Sequence, residues 1–415
     1  MSNIKQDLSK EAVKSTSIGL FPEDWEKNKL SSISCISTGL TPLRSKSEYF
    51  ADDIFWVKTT DLNNSLIFDT EEKISYLALK ETSIKMVEPN SILIAMYGGF
   101  NQIGRTGLMK IKGTTNQAIS SFYIDEIEYH SEYVLYWLNN FRKYWRRFAA
   151  SSRKDPNITK KDVEDFPIMK PKYDEQKKIA SILSTWDKAI ELKEKLIEQK
   201  KEQKKGLMQK LLTGEVRLPG FEEEWRKIKL KKLIHEIIDR STINNQYELL
   251  SVTKNGIVPQ SEHFNKQIAS QDNVGYKIVR KNNLVFSTMN LWMGSLDVLT
   301  NKEIGIVSPA YKVFEFTNQL NALYGKYFMT SDYMIWIYNV NSEQGASIVR
   351  RNLDLKGLLN TLVKTPSIKE QKAIAKVLFT LEQEVNLLIE ELEEIQNQKK
   401  GLMQNLLTGK IRVRV

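Results

Sequence analysis

Two stretches of the chain place apolar residues at alternating spacings of four and three. In the later one, Ile374, Leu378, Leu381, Val385, Leu388, Leu392, Ile395, Lys399, Leu402 and Leu406 hold the pattern, and nine of the ten are apolar. That period predicts a helix with a coiled-coil seam. The earlier stretch has Ile179, Leu183, Trp186, Ile190, Lys193, Ile197, Lys200, Lys204, Leu207 and Leu211, so three lysines interrupt its seam. The two are copies. Residues 175–217 align without a gap to residues 370–412 at an offset of 195, with 21 of 43 positions identical. A second match precedes each copy: FPEDWEKNKL from Phe21 against FEEEWRKIKL from Phe221, at an offset of 200.

Start and stop signals agree with long helices. Ser367 and Glu370 form a capping-box pattern after Pro366, and Gly214 and Gly409 stand where C-terminal glycines belong. About 38 residues of helix would span roughly 57 Å. Gly206 and Gly401, inside KKGLMQ, each cost about 1 kcal/mol relative to Ala; close approach of another backbone and a simple kink are equally good reasons for them.

Between the helices the pattern changes to short strands. FWVKTTDL, NSILIAMY and AISSFYI lie in the first region and YELLSVTK, NNLVFSTM and YKVFEF in the second. Each region ends in a more helical part, SEYVLYWLNNFRKYWRRF and NALYGKYFMTSDYMIWIYNV. The expected class is α+β: two mixed α/β domains joined by two long helices in an antiparallel coiled coil, with an internal pseudo-twofold repeat. The expected divisions are a polar N-terminal segment (1–20), a first domain (21–172), a central helix (173–214), a second domain (215–367) and a C-terminal helix with its tail (368–415).

Charge sharpens this picture. The 415 residues carry a formal net charge of +10, which suits a polyanionic partner. From 177 to 205 nine Lys face five acids, while 372 to 400 has four Lys and six acids, so the helices should prefer each other. The single Cys35 cannot form an internal disulfide, and no apolar run has the length of a membrane span. The N-terminus does not resemble a signal peptide, so a cytoplasmic protein is expected.

One motif invites a catalytic reading. MYGGFNQIGRTG, from Met96, is one residue from a phosphate-binding loop, with Arg105 in place of the Lys. A phosphate loop joins a strand to a helix. Here GLMKIKGTTN follows, which alternates like a strand, so the glycines are expected to shape a hairpin or loop instead. No adenine-methyltransferase tetrapeptide NPP[FY] or DPP[FY] is present, and His130, His235 and His263 lack metal spacing. The chain should bind and position rather than react.

Taken together, IFWVKTTDL, SILIAMYGGFNQIGRTG and TTNQAIS in the first domain, YELLSVTKNGIVPQSEHF, MNLWMGS and IVSPAYKVF in the second, and EQKxIA with KKGLMQxLLTG in both helices resemble the specificity subunit of type I restriction-modification systems. The resemblance covers nearly the whole chain after residue 20. It implies two target recognition domains, each reading one half of a bipartite, asymmetric sequence in double-stranded DNA. It also implies two docked methyltransferase subunits that carry S-adenosylmethionine, and restriction subunits, up to two, that use ATP and Mg; no cofactor is expected in this chain and no membrane partner.

For phosphate contact the strongest candidates are Arg142, Lys143, Arg146 and Arg147 in FRKYWRRF, extended by Arg153 and Lys154. For base reading, Arg suits guanine and Asn or Gln suits adenine. Arg44, Lys58, Thr59, Thr60, Gln102 and Arg105 are candidates in the first domain; Lys254, Asn255, Asn290, Trp292, Gln344, Arg350 and Arg351 are those in the second. Asn116 and Gln117 read as structural. Two other classes compete: a nucleotide-dependent enzyme, and a coiled-coil scaffold or DNA-binding protein unconnected with methylation.

Overall fold

A computed structural model describes residues 4–7, 12–149, 157–253, 256–263, 272–344 and 351–414. The chain divides into two compact units, residues 1–193 with 391–415 and residues 194–390, so each division falls inside a long helix. Those helices run over Tyr173–Thr213 and Ile368–Leu407. Both pass through their internal glycine unbroken, and a Cβ at Gly206 or Gly401 would meet nothing within 4 Å. Neither glycine is therefore explained by contact within the chain. Gly214 and Gly409 end the helices with φ of +77° and +68°, the left-handed conformation that favours glycine.

In the first unit a five-stranded sheet has the order Ser37–Thr38, Ile119–Tyr123, Ser91–Ala95, Thr106–Met109, Ser65–Ile67. Its neighbours are antiparallel except the last pair, where Gly107 lies opposite Ser65 in parallel. Strand Ser91–Ala95 is buried at every residue, the mark of a central strand covered on both faces. Helix Ser131–Asn140 packs Tyr133, Val134, Trp137 and Leu138 into a core shared with Ile179 and Leu183 of the first long helix and Leu406 and Leu407 of the second. The polar N-terminal segment carries local structure, the hairpin Val13–Thr16 with Gly19–Pro22, which runs into the start of the first domain. Strand Ile4–Asp7 pairs antiparallel with Ile411–Val413.

The second unit repeats the plan. Its four-stranded antiparallel sheet has the order Ile234–Glu236, Tyr311–Phe316, Leu284–Ser287, Leu296–Val298. Numbered along the chain, this is the same first, fourth, second, third sequence as the opening four strands of the other sheet. The duplication thus extends to strand topology where the amino acids no longer match. Helices Ala322–Met329 and Asp332–Val340 cover it, with Tyr324, Phe328 and Met334 in the core beside Leu211 and Leu378 of the long helices.

Inside each unit the long-helix segments run antiparallel. Lys193 meets Glu391 at 2.7 Å and Lys399 meets Asp187 in the first; Lys200 meets Glu384 at 2.6 Å and Lys204 meets Glu382 at 3.8 Å in the second. The four seam lysines each have a carboxylate. Each unit is also closed by a buried ion pair over a tryptophan. Arg412 donates to Glu175 at 2.7 Å and to Asp24, with its guanidinium 5.8 Å from the Trp25 ring. Arg217 donates to Glu370 at 2.6 and 2.8 Å, 5.7 Å from the Trp225 ring. The carboxylate expected in the Ser367 capping box is thus the acceptor of an arginine.

Candidate nucleic-acid interface

The glycine loop joins strands Ser91–Ala95 and Thr106–Met109 as a hairpin. Gly98, Gly99 and Gly104 have φ of +102°, +71° and +69°. The amides of its second half are already used: Gln102 and Ile103 donate to the Gly99 carbonyl, Gly104 to Ala95 and Arg105 to Gln102. A phosphate cradle needs those N–H groups free. Gly104 is glycine for a packing reason as well, since a Cβ there would lie 2.1 Å from Cδ1 of the fully buried Trp145.

Trp145 belongs to Arg142–Arg147, which is a 3-10 helix rather than the α-helical face expected. Its cations have divided roles. Arg142 clamps the glycine loop, donating to the Asn101 carbonyl at 2.8 Å and the Ile103 carbonyl at 3.3 Å. Burial, with some help from nearby Arg105, lowers its pKa. Arg147 donates to the Ser17 carbonyl at 2.9 Å and lies over Tyr144. Arg146 lies over the exposed Phe100 ring at 5.3 Å, and Lys143 is exposed.

These elements line an open cavity of about 630 Å³ with the end of the second long helix: Lys143, Arg146 and Asn140 on one side, Gln396, Lys400 and Gln404 on the other. No carboxylate residue lines it. Lys400 was not among the expected contacts. The helix pattern marks it only as a solvated position, and nothing in the sequence places it opposite FRKYWRRF.

The remaining first-domain candidates separate. The backbone of Arg105 is paired with Gln102 and Ala95, but its guanidinium has no hydrogen-bond or ion-pair partner among the described residues and stays available. Lys58 is held by Glu71 at 2.8 Å and Glu72 at 2.6 Å, and Arg44 by Glu72 at 2.6 Å, stacked near Phe50 and Trp56. Both cations therefore have carboxylate partners within the first unit. Gln102 folds onto Gly98 with Oε1 buried and unpaired, unlike a reading side chain. Thr59 and Thr60 lie in a short 3-10 turn beside Asp61, which accepts from the Lys58 amide. Asn116 accepts from the Ala118 amide at 3.1 Å, the structural role expected.

In the second unit, Asn290, Trp292 and Arg351 come together. Asn290 precedes the 3-10 turn Leu291–Met293 that connects Leu284–Ser287 to Leu296–Val298, and Arg351 lies 4.4 Å over the Trp292 ring and donates to Asn339. Gln344 pairs with Arg351 in a two-stranded ribbon. Arg153, Lys154, Lys254, Asn255 and Arg350 lie outside the described residues. Where the first unit has RKYWRR, this unit has Asp332–Val340, an α-helix whose Trp336 and Val340 are 62% and 64% exposed. Gly294, at the place of Gly104, has only Ile335 nearby at 3.5 Å.

Comparison with known proteins gives the class. Residues 22–201 match the family described as type I restriction modification DNA specificity domain. The chain is 26% identical to the MjaX type I restriction enzyme specificity subunit of Methanocaldococcus jannaschii over 99% of both chains, and 24% identical to the MjaVIII subunit of that organism over 95% of this chain and 94% of the other. A solved chain from work on complex assembly and conformational transition of the type I R-M system superposes with TM-score 0.58 at 14% identity, covering 94% of this chain and 99% of that one. The S subunit of M. genitalium does so with TM-score 0.52 at 15% identity over 92% and 96%. Residues 22–201 thus carry a type I restriction modification DNA specificity domain, and the chain is similar along nearly its whole length to type I specificity subunits. Among the described residues no helix is long and apolar enough to cross a membrane, and no cluster of His, Cys, Asp and Glu could hold a metal.

Proposed function

We propose that each unit reads one half of a bipartite, asymmetric target in double-stranded DNA, and that the chain positions two methyltransferase subunits and up to two restriction subunits on it. S-adenosylmethionine, ATP and Mg belong to those partners, and the chain itself reacts with nothing. The observation that carries this reading is one scaffold built twice with unlike surfaces at the same place: Lys143, Arg146 and Lys400 around a carboxylate-free cavity in one unit, with Arg105 on the same unit's glycine loop, and Asn290, Arg351, Met293 and Trp336 in the other. Cations without acidic partners suit phosphates, and differing side chains at matching hairpins suit differing base sequences. A scaffold for proteins alone would leave that cavity without purpose. The test is selection of DNA from a random pool by the chain assembled with its methyltransferase subunits. Two unlike half-sites at a fixed spacing are expected; recovery of no sequence preference would remove the proposal.

A further inference from the structure

The seam lysines have a part that DNA reading alone does not explain. In the first unit Lys399 pairs with Asp187, and Asp187 also accepts from the Tyr136 hydroxyl at 2.6 Å. In the second, Lys204 pairs with Glu382 and Glu382 accepts from the Tyr327 hydroxyl. Each lysine also lies over its tyrosine ring, at 5.5 and 5.8 Å. Asp187 and Glu382 are equivalent under the 195-residue offset, as are Lys204 and Lys399. Tyr136 and Tyr327 stand at matching places on the domain helices Ser131–Asn140 and Ala322–Met329. The same three-residue arrangement has therefore been kept twice, with Lys326 added at 3.4 Å in the second copy.

We propose that the two Tyr–carboxylate–Lys sets are positioning locks that hold each recognition domain in one orientation on its own helix segments, and thereby limit the range of half-site spacings the complex accepts. This rests on the bipartite reading above. Each lock ties three elements at a point: a domain helix, one long helix and the other. Tyr136 lies one turn and a half before Arg142, whose side chain holds the glycine loop, so tilt at the lock moves the whole candidate reading surface. A lysine in an apolar seam is a poor stabiliser, because leaving water offsets most of the ion-pair attraction. Polar seam residues of this kind are best known for specifying geometry at a cost in stability. Burial of the Lys204 ammonium lowers its pKa, as that desolvation requires.

The test uses the full chain assembled with its methyltransferase subunits and DNA carrying both half-sites at the preferred spacing and at one base pair more or less. Lys399→Met should keep the melting temperature, yet reduce discrimination against the altered spacings by about tenfold, the scale of one mismatched base pair. Lys204→Met should relax it less, because Lys326 still holds Glu382. Lys399→Arg should restore the discrimination that Lys399→Met loses. Unchanged spacing discrimination in a folded Lys399→Met complex would overturn the proposal. Should that chain fail to fold, Tyr136→Phe, which loses one hydroxyl, is judged by the same two outcomes. A wild-type complex with no bipartite preference would instead defeat the reading on which the proposal rests. The lock would then be judged by hydrogen exchange of Ser131–Asn140: faster exchange in Lys399→Met supports it, and unchanged exchange refutes it.

Discussion

The two units have the same closures and different faces. Arg412 on Glu175 beside Trp25 corresponds to Arg217 on Glu370 beside Trp225, and the Tyr136 lock corresponds to the Tyr327 lock. Yet the segment after the domain helix is cationic and tightly wound in one unit and apolar and α-helical in the other. Residues that hold domain to helix have been kept in both copies, while residues that present a surface have not. This is the division expected if the two copies share a scaffold and read different sequences.

The largest effects should come from breaking what is shared. Arg217→Ala leaves Glu370, with a side chain 1% exposed, without its cation, and should destabilise the second unit by about 3 kcal/mol. Arg412→Ala should do the same to the first unit, where Glu175 is 5% exposed. Denaturant unfolding with a tryptophan probe in each unit checks both; equal loss in both units from either substitution would show that the closures are not local.

The glycines separate the units more finely. Gly104→Ala combines a left-handed φ with a 2.1 Å clash against Trp145 and should cost about 3 kcal/mol. Gly294→Ala has the φ of +83° but an ordinary 3.5 Å neighbour, so about 1 kcal/mol is expected. Similar losses on thermal unfolding would mean that Trp145 yields easily.

Charge gives a smaller and more selective contrast. Replacing Lys143, Arg146 and Lys400 with Ala should weaken binding to all DNA sequences and reduce the salt slope by about two to three, while Arg142→Ala should loosen the glycine loop. In the second unit Trp336→Gln should leave the salt slope alone. Filter binding across a salt series measures both.

The smallest effect is on pH. Burial pushes the Glu382 carboxyl up, but the Tyr327 hydroxyl and the ammonium groups of Lys326 and Lys204 outweigh it and hold the group below its ordinary value. Its contribution is present above that ordinary value and disappears as pH falls through the depressed one. Glu382→Gln should therefore flatten the loss of stability below about pH 4, which acid titration followed by circular dichroism would show.

Much of this architecture was legible in the residues. The four-three spacing revealed both long helices, and the alternation after Thr106 revealed a strand where a phosphate loop would need a helix. The candidate surface was legible only as charge. Nothing near Arg142 in sequence says that its partners are the carbonyls of Asn101 and Ile103, and nothing near Lys58 marks it as ion-paired with Glu71 and Glu72 rather than free. Composition shows a cation; only the fold shows whether another segment has already used it. The seam lysines looked like interruptions for the same reason, since Asp187, Glu382, Glu384 and Glu391 become their partners only once the helices pair. Residues 13–22 form a hairpin in a stretch whose polar pattern suggested none.

The central claim is that the units read separately. Its most direct test is the target selected from random DNA by the assembled complex carrying Arg105→Ala with Asn101→Ala, two changes confined to the first unit's hairpin. One half-site should lose sequence preference, with the other half and the spacing between them unchanged. Loss of preference in both halves together, or in neither, would contradict the account.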